Sequence, residues 1–178
     1  QLLNSMPTKF EAEITQRTEL GCHHEQQHQE LLLTDLKFCW AQNPLQPRYS
    51  DEPPPTTVAP APVQWQSFDS QLHEIGHIAE GGFCFDNELP RHKQYVAGFH
   101  IADRLVSNGE YLEFVADHGY QRADLWLADG WAALQEQSRG DERIQAPLYW
   151  SRGDGQWLEY TLHGQVMLDK NLPACHLS

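Results

Sequence analysis

Residues 9–41 contain no proline and only one glycine, so nothing in them stops a helix. Their side chains recur at the helical period, with Phe10, Ile14, Leu20 and Leu31 on or near one stripe. The pattern predicts a single helix of roughly thirty residues. Because a helix of this length cannot bury its stripe alone, we expect it to be the last helix of a bundle whose other helices lie upstream.

Two histidines of this helix are candidate metal ligands. His24 and His28 are four positions apart, so both imidazoles leave the same face about one turn apart. Two histidines on a stripe can also be ordinary bundle residues, but Gln27 on the same face makes the stripe polar where a core would need an apolar side chain. Two ligands do not complete a site, so a third must come from elsewhere. We expect His23 to be exposed or to lie next to the ligands without binding the metal, and Glu30 to contact a neighbouring helix.

The next segment divides the chain. Residues 43–62 contain seven prolines, which exclude a helix and a central strand. We expect an extended linker at 43–62, with the end of a helical bundle at 1–42 and a second domain at 63–178.

Short apolar runs separated by glycines follow the linker. They predict a strand at 95–102, a helix at about 108–117 that begins with a capping box and stops at Gly119, a helical turn within 123–134, and a hairpin of 148–150 and 156–162 around the turn 151–155. The mixture predicts an α+β fold. We also expect the second domain to continue beyond the last residue.

A second pair of histidines matches the H-E-x-x-H pattern of zinc proteases, at His73 and His77 with Glu74 as the general base. That chemistry needs a helix and a third ligand. The metzincin continuation would require glycine and histidine where the chain has Glu80 and Phe83. We therefore favour a strand here and keep the zinc protease as a minor alternative.

Charge and cysteine usage limit the partners and the compartment. Twelve Lys and Arg against 25 Asp and Glu give a formal charge of -13, which disfavours nucleic acids and anionic membranes as partners. No apolar run approaches the length of a membrane span. Cys22, Cys39, Cys84 and Cys175 are far apart and indicate no disulfide framework, so we expect a reducing cytoplasm.

Other candidate residues have weaker signals. An acidic turn at 86–88 could take calcium, but it lacks ligands at spaced intervals. We expect the scattered histidines to lie at the surface or in turns. We expect four tryptophans to lie in the core or to form an aromatic cage around a cation. These residues are His92, His100, His118, His163 and His176, with Trp126, Trp131, Trp150 and Trp157.

Two segments carry the motifs of one known family. The helix contains HHEQQHQELLL, with an H-x-x-x-H-x-E core at His24, His28 and Glu30. It resembles the DinB-like domain of EgtB-type sulfoxide synthases, the non-haem iron enzymes of ergothioneine biosynthesis. The later segment GGFCFDNELPRHKQYVAGFHIADRLVSNGEYLEFVADHGYQRADLWLADGW resembles the start of the formylglycine-generating-enzyme-like, C-type-lectin-related domain that follows DinB in that family. Two motifs in this order are far more specific than either alone.

The resemblance implies that His24 and His28 are two of three histidine ligands of iron(II), and that Gln27 contacts the imidazole of a trimethylated histidine substrate. It places the third histidine in an earlier helix and the catalytic tyrosine beyond Ser178. The implied O₂-dependent reaction joins a thiol, γ-glutamylcysteine or cysteine, to C2 of that imidazole and leaves a sulfoxide. Related enzymes make ovothiol or selenoneine precursors. The chain alone would be an incomplete, inactive fragment.

A function of a different class also fits the sequence. The chain could be a lectin-like binding or scaffold module whose helix only packs against its neighbours. Binding of iron(II) through His28 would distinguish the synthase from this module.

Overall fold

The computed structural model describes residues 8–54, 56–78, 81–137 and 144–177. The described residues combine helices with small sheets, which is consistent with the predicted α+β class; the DinB-like bundle stays a prediction. The helices are α1 (Glu11–Ala41), α2 (Asn108–Ala116) and α3 (Ala128–Gln137), and the strands are β1 (Trp65–Phe68), β2 (Gln71–Ile75), β3 (His92–Val96), β4 (Phe99–Ala102), β5 (Trp150–Gly153), β6 (Gln156–Thr161) and β7 (Gly164–Met167).

The contacts divide the chain into two units. One comprises Gln1–Leu36 and Gln66–Ile101, and the other comprises Lys37–Trp65 and Ala102–Ser178. The predicted domain boundaries at residues 42 and 62 stay predictions. No helix in the described ranges combines the length and the apolar character that a membrane span requires.

Helix α1 confirms the predicted long helix. An ion pair of 2.8 Å joins Arg17 to Glu13 one turn earlier, and the Thr34 hydroxyl donates to the Glu30 carbonyl. None of the described residues of α1 is fully buried, and most of its large apolar side chains are exposed, including Leu32 at 68%. Burial within this chain therefore supplies little of the stability of the helix.

The first unit contains short strands. β2 pairs antiparallel with β3, and β1 pairs with β4. The predicted continuous strand at 95–102 is wrong, because Gly98 separates β3 from β4. The Gly98 amide donates to Ser70 Oγ, and a Cβ at Gly98 would lie 3.2 Å from that oxygen, so the close approach of the two segments favours glycine.

The second unit contains the sheet β5-β6-β7. The hairpin of β5 and β6 confirms the prediction, but its turn is shorter than residues 151–155. Asp154 and Gly155 form the turn alone, with φ of 49° and 79°, as a two-residue type I′ turn requires. Strand β7 was not predicted.

Helix α2 begins as predicted. Ser107 Oγ accepts from the Glu110 amide at 3.3 Å, and the Glu110 carboxylate accepts from the Ser107 amide at 2.9 Å. The helix ends at Ala116, within one residue of the predicted end at 117, but the left-handed residue that follows it is His118, with φ of 57°, and not the predicted stop Gly119. A glycine is needed at position 119 for packing, because the Phe114 ring occupies the space that a Cβ would need.

The remaining predicted elements have mixed outcomes. The helical turn predicted within 123–134 is a 3₁₀ turn at Ala123–Leu125 followed by the longer α3. The described residues of 43–62 form neither helix nor strand, as their prolines require. This segment is not a free spacer, because the Tyr49 amide donates to the Leu162 carbonyl at 2.8 Å and the Thr57 hydroxyl hydrogen-bonds the Asp169 carboxylate.

The start of α2 generates a prediction about pH. Two hydrogen bonds from the Arg104 guanidinium, at 2.6 and 2.8 Å, hold the Glu110 carboxylate, and together with the Ser107 amide they lower its pKa from 4.5 to about 2. A depressed folded-state pKa adds stability that is present above pH 4.5 and is lost as the pH falls towards about 2. We expect Glu110→Gln to lower the thermal midpoint at neutral pH and to flatten its fall over this acidic range.

Thermal unfolding followed by circular dichroism between pH 7 and pH 2 measures this difference. Glu113→Gln is the matched control, since Glu113 is exposed on the same helix. Parallel pH profiles for Glu110→Gln and the unchanged chain would show that the Arg104 contact contributes nothing.

Candidate functional site

Helix α1 places the two candidate ligands next to each other. The ring centroids of His24 and His28 are 4.4 Å apart, with the ring planes inclined by 48°. Both side chains are exposed, and neither has a hydrogen bond to any part of the chain that the structure describes. Their ring nitrogens are therefore accessible to a ligand from solvent.

The donor set fits part of an iron site. Neutral imidazole suits iron, zinc and copper, and two imidazoles one turn apart on a helix can bind one ion. Among residues 8–54, 56–78, 81–137 and 144–177, no group of three or more His, Cys, Asp or Glu side chains is placed to hold a metal. His24 and His28 therefore stay candidate ligands, and a complete site would need a third ligand beyond those that the described residues bring together.

The sequence also predicts roles for two neighbours of the histidine pair, Gln27 and Glu30. Gln27 is exposed, so its amide can reach a molecule bound at the pair. Glu30 is exposed too, and its carboxylate forms no ion pair within the described residues. The contact of Glu30 with a neighbouring helix stays a prediction.

Of the two expectations for His23, the exposed side chain is wrong, and a place next to the ligands stays a prediction. His23 is half-buried, and its ring stacks on Phe83 with centroids 4.0 Å apart and planes inclined by 19°. Phe85 lies edge-on to Phe83 at 4.9 Å, so the three rings form one cluster. Sequence reasoning missed this contact because it joins residues sixty positions apart, and only the aromatic pair in the GGFCF segment indicates a packing role.

The zinc-protease alternative does not fit the structure. His73 lies on strand β2, as favoured from the sequence, and not on a helix. β2 ends at Ile75, before His77, so the two histidines share no regular element. Glu74, the required general base, pairs with Arg91 at 3.1 Å.

The weaker candidates have local structural roles. The acidic turn is a 3₁₀ turn, Asp86–Glu88, in which the Glu88 carboxylate accepts from the Phe85 amide at 2.8 Å. Trp126 and Trp150 are half-buried against aromatic neighbours, and the Trp126 indole donates to the Gly119 carbonyl at 2.8 Å. These contacts favour packing over a cation cage.

The later part of the chain, across both units, matches a known family. The sequence profile of the sulfatase-modifying factor enzyme 1-like domain matches residues 56–177. The match covers more than half of the chain, so the chain belongs to this family of domains.

Curated relatives indicate which class of proteins with this domain the chain resembles. The chain is 37% identical over 68 residues to hercynine oxygenase of Mycobacterium tuberculosis, which is 38% of this chain and 15% of that protein. It is 36% identical over 66 residues to hercynine oxygenase of Mycolicibacterium smegmatis, 37% of this chain and 14% of that protein. It is 30% identical over 128 residues to ergothioneine biosynthesis protein 1 of Schizosaccharomyces pombe, 67% of this chain and 14% of that protein.

These relatives confirm the resemblance to the ergothioneine-biosynthesis enzymes. The chain spans only about one seventh of the length of each relative. The activity and substrates of the whole protein therefore belong to the proposal below.

The stacked ring of His23 generates a prediction. We expect His23→Ala to lower the free energy of unfolding by about 1 kcal/mol, since an aromatic pair contributes this order of energy. His24→Ala, which removes an exposed ring one residue later, should change it by less than about 0.5 kcal/mol. Urea unfolding of both variants measures the difference, and equal midpoints would mean that the stacking on Phe83 adds no stability.

Proposed function

We propose that the chain is part of a non-haem iron(II)- and O₂-dependent sulfoxide synthase of ergothioneine biosynthesis. The enzyme would join a thiol to C2 of the imidazole of trimethylated histidine. The observation that carries the proposal is the exposed pair of His24 and His28 on α1, with rings 4.4 Å apart, in a chain whose later part is a sulfatase-modifying factor enzyme 1-like domain. The names of the hercynine oxygenase relatives support the same reaction class.

His24 and His28 would hold the iron as two neutral imidazole ligands, and a third histidine would come from outside the described residues. Iron(II) in such a site supplies open positions at which O₂ and a thiolate can react. The helix backbone holds the two rings one turn apart, so binding of the iron would need little further ordering of the backbone. This use of the pair would explain why both rings are exposed on α1.

Gln27 would orient the organic substrate. Its amide can both donate and accept a hydrogen bond, which matches the two nitrogens of a neutral imidazole. The quaternary ammonium of the substrate would need aromatic or acidic walls. The thiol, γ-glutamylcysteine or cysteine, stays open, as does a product of the ovothiol or selenoneine type. The proton donor of the reaction would also lie outside the described residues.

The exposed apolar side chains of α1 support its proposed place as the last helix of a DinB-like bundle. Leu31, Leu32 and Phe38 are 57%, 68% and 50% exposed. Upstream helices would bury such a surface. All four cysteines are free thiols, which agrees with the reducing cytoplasm proposed for the protein.

Anaerobic titration with iron(II) tests the metal site in the protein at its natural length. We expect His24→Ala and His28→Ala each to weaken binding by roughly tenfold or more, because each removes one ligand. Gln26→Ala is the matched control on the same helix turn, and His73→Ala tests the second histidine motif; both should bind as the unchanged protein does. Unchanged affinity in His28→Ala would favour the lectin-like scaffold, and the synthase would be abandoned.

Substrate titration tests Gln27 separately from the metal. We expect Gln27→Ala to keep iron(II) affinity and to raise KM for trimethylated histidine by roughly tenfold, since one hydrogen bond to a ring nitrogen is lost. Gln29→Ala, on another face of the helix, serves as the control. A loss of iron affinity in Gln27→Ala, or an unchanged KM, would assign Gln27 a different role.

The isolated chain gives a further check. Because it lacks a third ligand among its described residues, we expect weak iron(II) binding and no thiol-dependent consumption of O₂. Measurement with an oxygen electrode decides this point, and turnover by the isolated 178 residues would contradict the assignment of missing groups.

A further inference from the structure

Arg152 of strand β5 differs from the other arginines in how the fold holds it. It lies directly opposite Trp157 of β6 in the sheet register, and its guanidinium carbon is 4.1 Å from the centroid of the Trp157 ring. A guanidinium this close to an aromatic face is attracted by the ring. Trp150 packs against the same indole, with centroids 5.9 Å apart. The hairpin thus holds the cation on an aromatic surface.

The guanidinium of Arg152 has no carboxylate partner. Within the described residues it forms neither an ion pair nor a hydrogen bond. Every other arginine that the structure describes forms an ion pair; these are Arg17, Arg48, Arg91, Arg104 and Arg122. Acids outnumber Lys and Arg by 25 to 12 in this chain, so an arginine without an acid beside it needs an explanation.

Two neighbouring cavities share Arg152 as part of their walls. Their volumes are about 560 and 420 Å³, and Tyr120, Gln145 and Trp157 also line both. None of the described residues that line either cavity is an aspartate or a glutamate. An anion in these cavities would therefore meet a permanent cation and no repelling carboxylate among them.

The acids close to the cavity walls act on other cations. Asp117, which precedes the wall residue His118, pairs with Arg122, as Asp124 does. Glu159 lies two residues after Trp157 on β6, and the charge that acts on it is that of Lys37. The described acids therefore leave the guanidinium of Arg152 available to a ligand.

The walls also indicate the chemical class of the ligand. The planar guanidinium can donate two parallel hydrogen bonds to a carboxylate, and the Gln145 amide can donate another. Pro147, Leu148 and Trp150 give the larger cavity an apolar wall, and its volume is in the range typical of small-molecule sites. One guanidinium compensates one negative charge, so a monocarboxylate fits better than a polyanion.

We propose that Arg152 anchors a binding site for a small organic carboxylate with an apolar or aromatic body. The carboxylate pairs with the guanidinium where the two cavities meet. The body packs against Leu148 and Trp150 in the larger cavity. The binding is non-covalent, and it does not rest on the proposed synthase function, because neither iron nor the histidine pair takes part.

Isothermal titration calorimetry with phenylpropionate tests the site in the protein at its natural length, in metal-free buffer. We expect a dissociation constant of about 1 mM or tighter, a modest affinity for a ligand of this size. Phenylpropionamide has nearly the same shape but no charge, and acetate has the charge but no ring. Each should bind roughly tenfold more weakly or worse, because one loses the ion pair and the other loses the apolar contact.

Three variants locate the binding. Arg152→Gln should weaken phenylpropionate binding by roughly tenfold or more and leave phenylpropionamide binding unchanged, since only the carboxylate uses the charge. Arg48→Gln is the matched control, because Arg48 pairs with Asp51 at 2.6 Å and is not among the residues that line the cavities. The double change Asp141→Asn with Glu142→Gln, outside the described residues, should also leave the affinity unchanged.

Several results would overturn the proposal. One is phenylpropionamide binding as tightly as phenylpropionate, which is decided on the unchanged protein even if a variant fails to fold. Another is equal affinity for phenylpropionate in Arg152→Gln and the unchanged protein when circular dichroism shows both folded. A tenfold tighter binding after the Asp141 and Glu142 changes would mean that Arg152 already has a partner in the chain. Iron(II) affinity is measured separately, so the synthase proposal stands or falls on its own result.

Discussion

The unbroken hydrogen-bond ladder of α1 is the constraint on which the proposed metal site depends. It fixes His24 and His28 one turn apart, with ring centroids separated by 4.4 Å, without help from tertiary contacts. The same helix exposes most of its large apolar side chains, so burial within this chain adds little to its stability. Any partner that covers this helix therefore stabilises the helix and completes the surroundings of the two histidines together.

The histidine pair and the Lys37 side chain differ in how the fold supports them. The histidine pair depends on one helix and is open to solvent, which suits a site completed by other residues. Lys37, in the last turns of α1, instead contacts side chains of the segment before β5 and of the C-terminal segment.

Local signals explain what the sequence predicts well. Helical period predicts α1, the pair Ser107 and Glu110 predicts the start of α2, and Asp154 with Gly155 predicts the hairpin turn. Contacts between distant residues escape such signals. The break at Gly98 depends on Ser70, and the stacking of His23 depends on Phe83. His24 and His28 could be placed from sequence because one helix turn holds both, whereas the contact of Lys37 with His176 joins residues 139 positions apart.

The central claim is that His24 and His28 bind iron directly. X-ray absorption at the iron K edge, on the protein at its natural length loaded with iron(II), counts the imidazole ligands. The account predicts imidazole scattering that decreases when both histidines are replaced by alanine. Scattering that is the same in this double variant and in the unchanged protein would contradict the account.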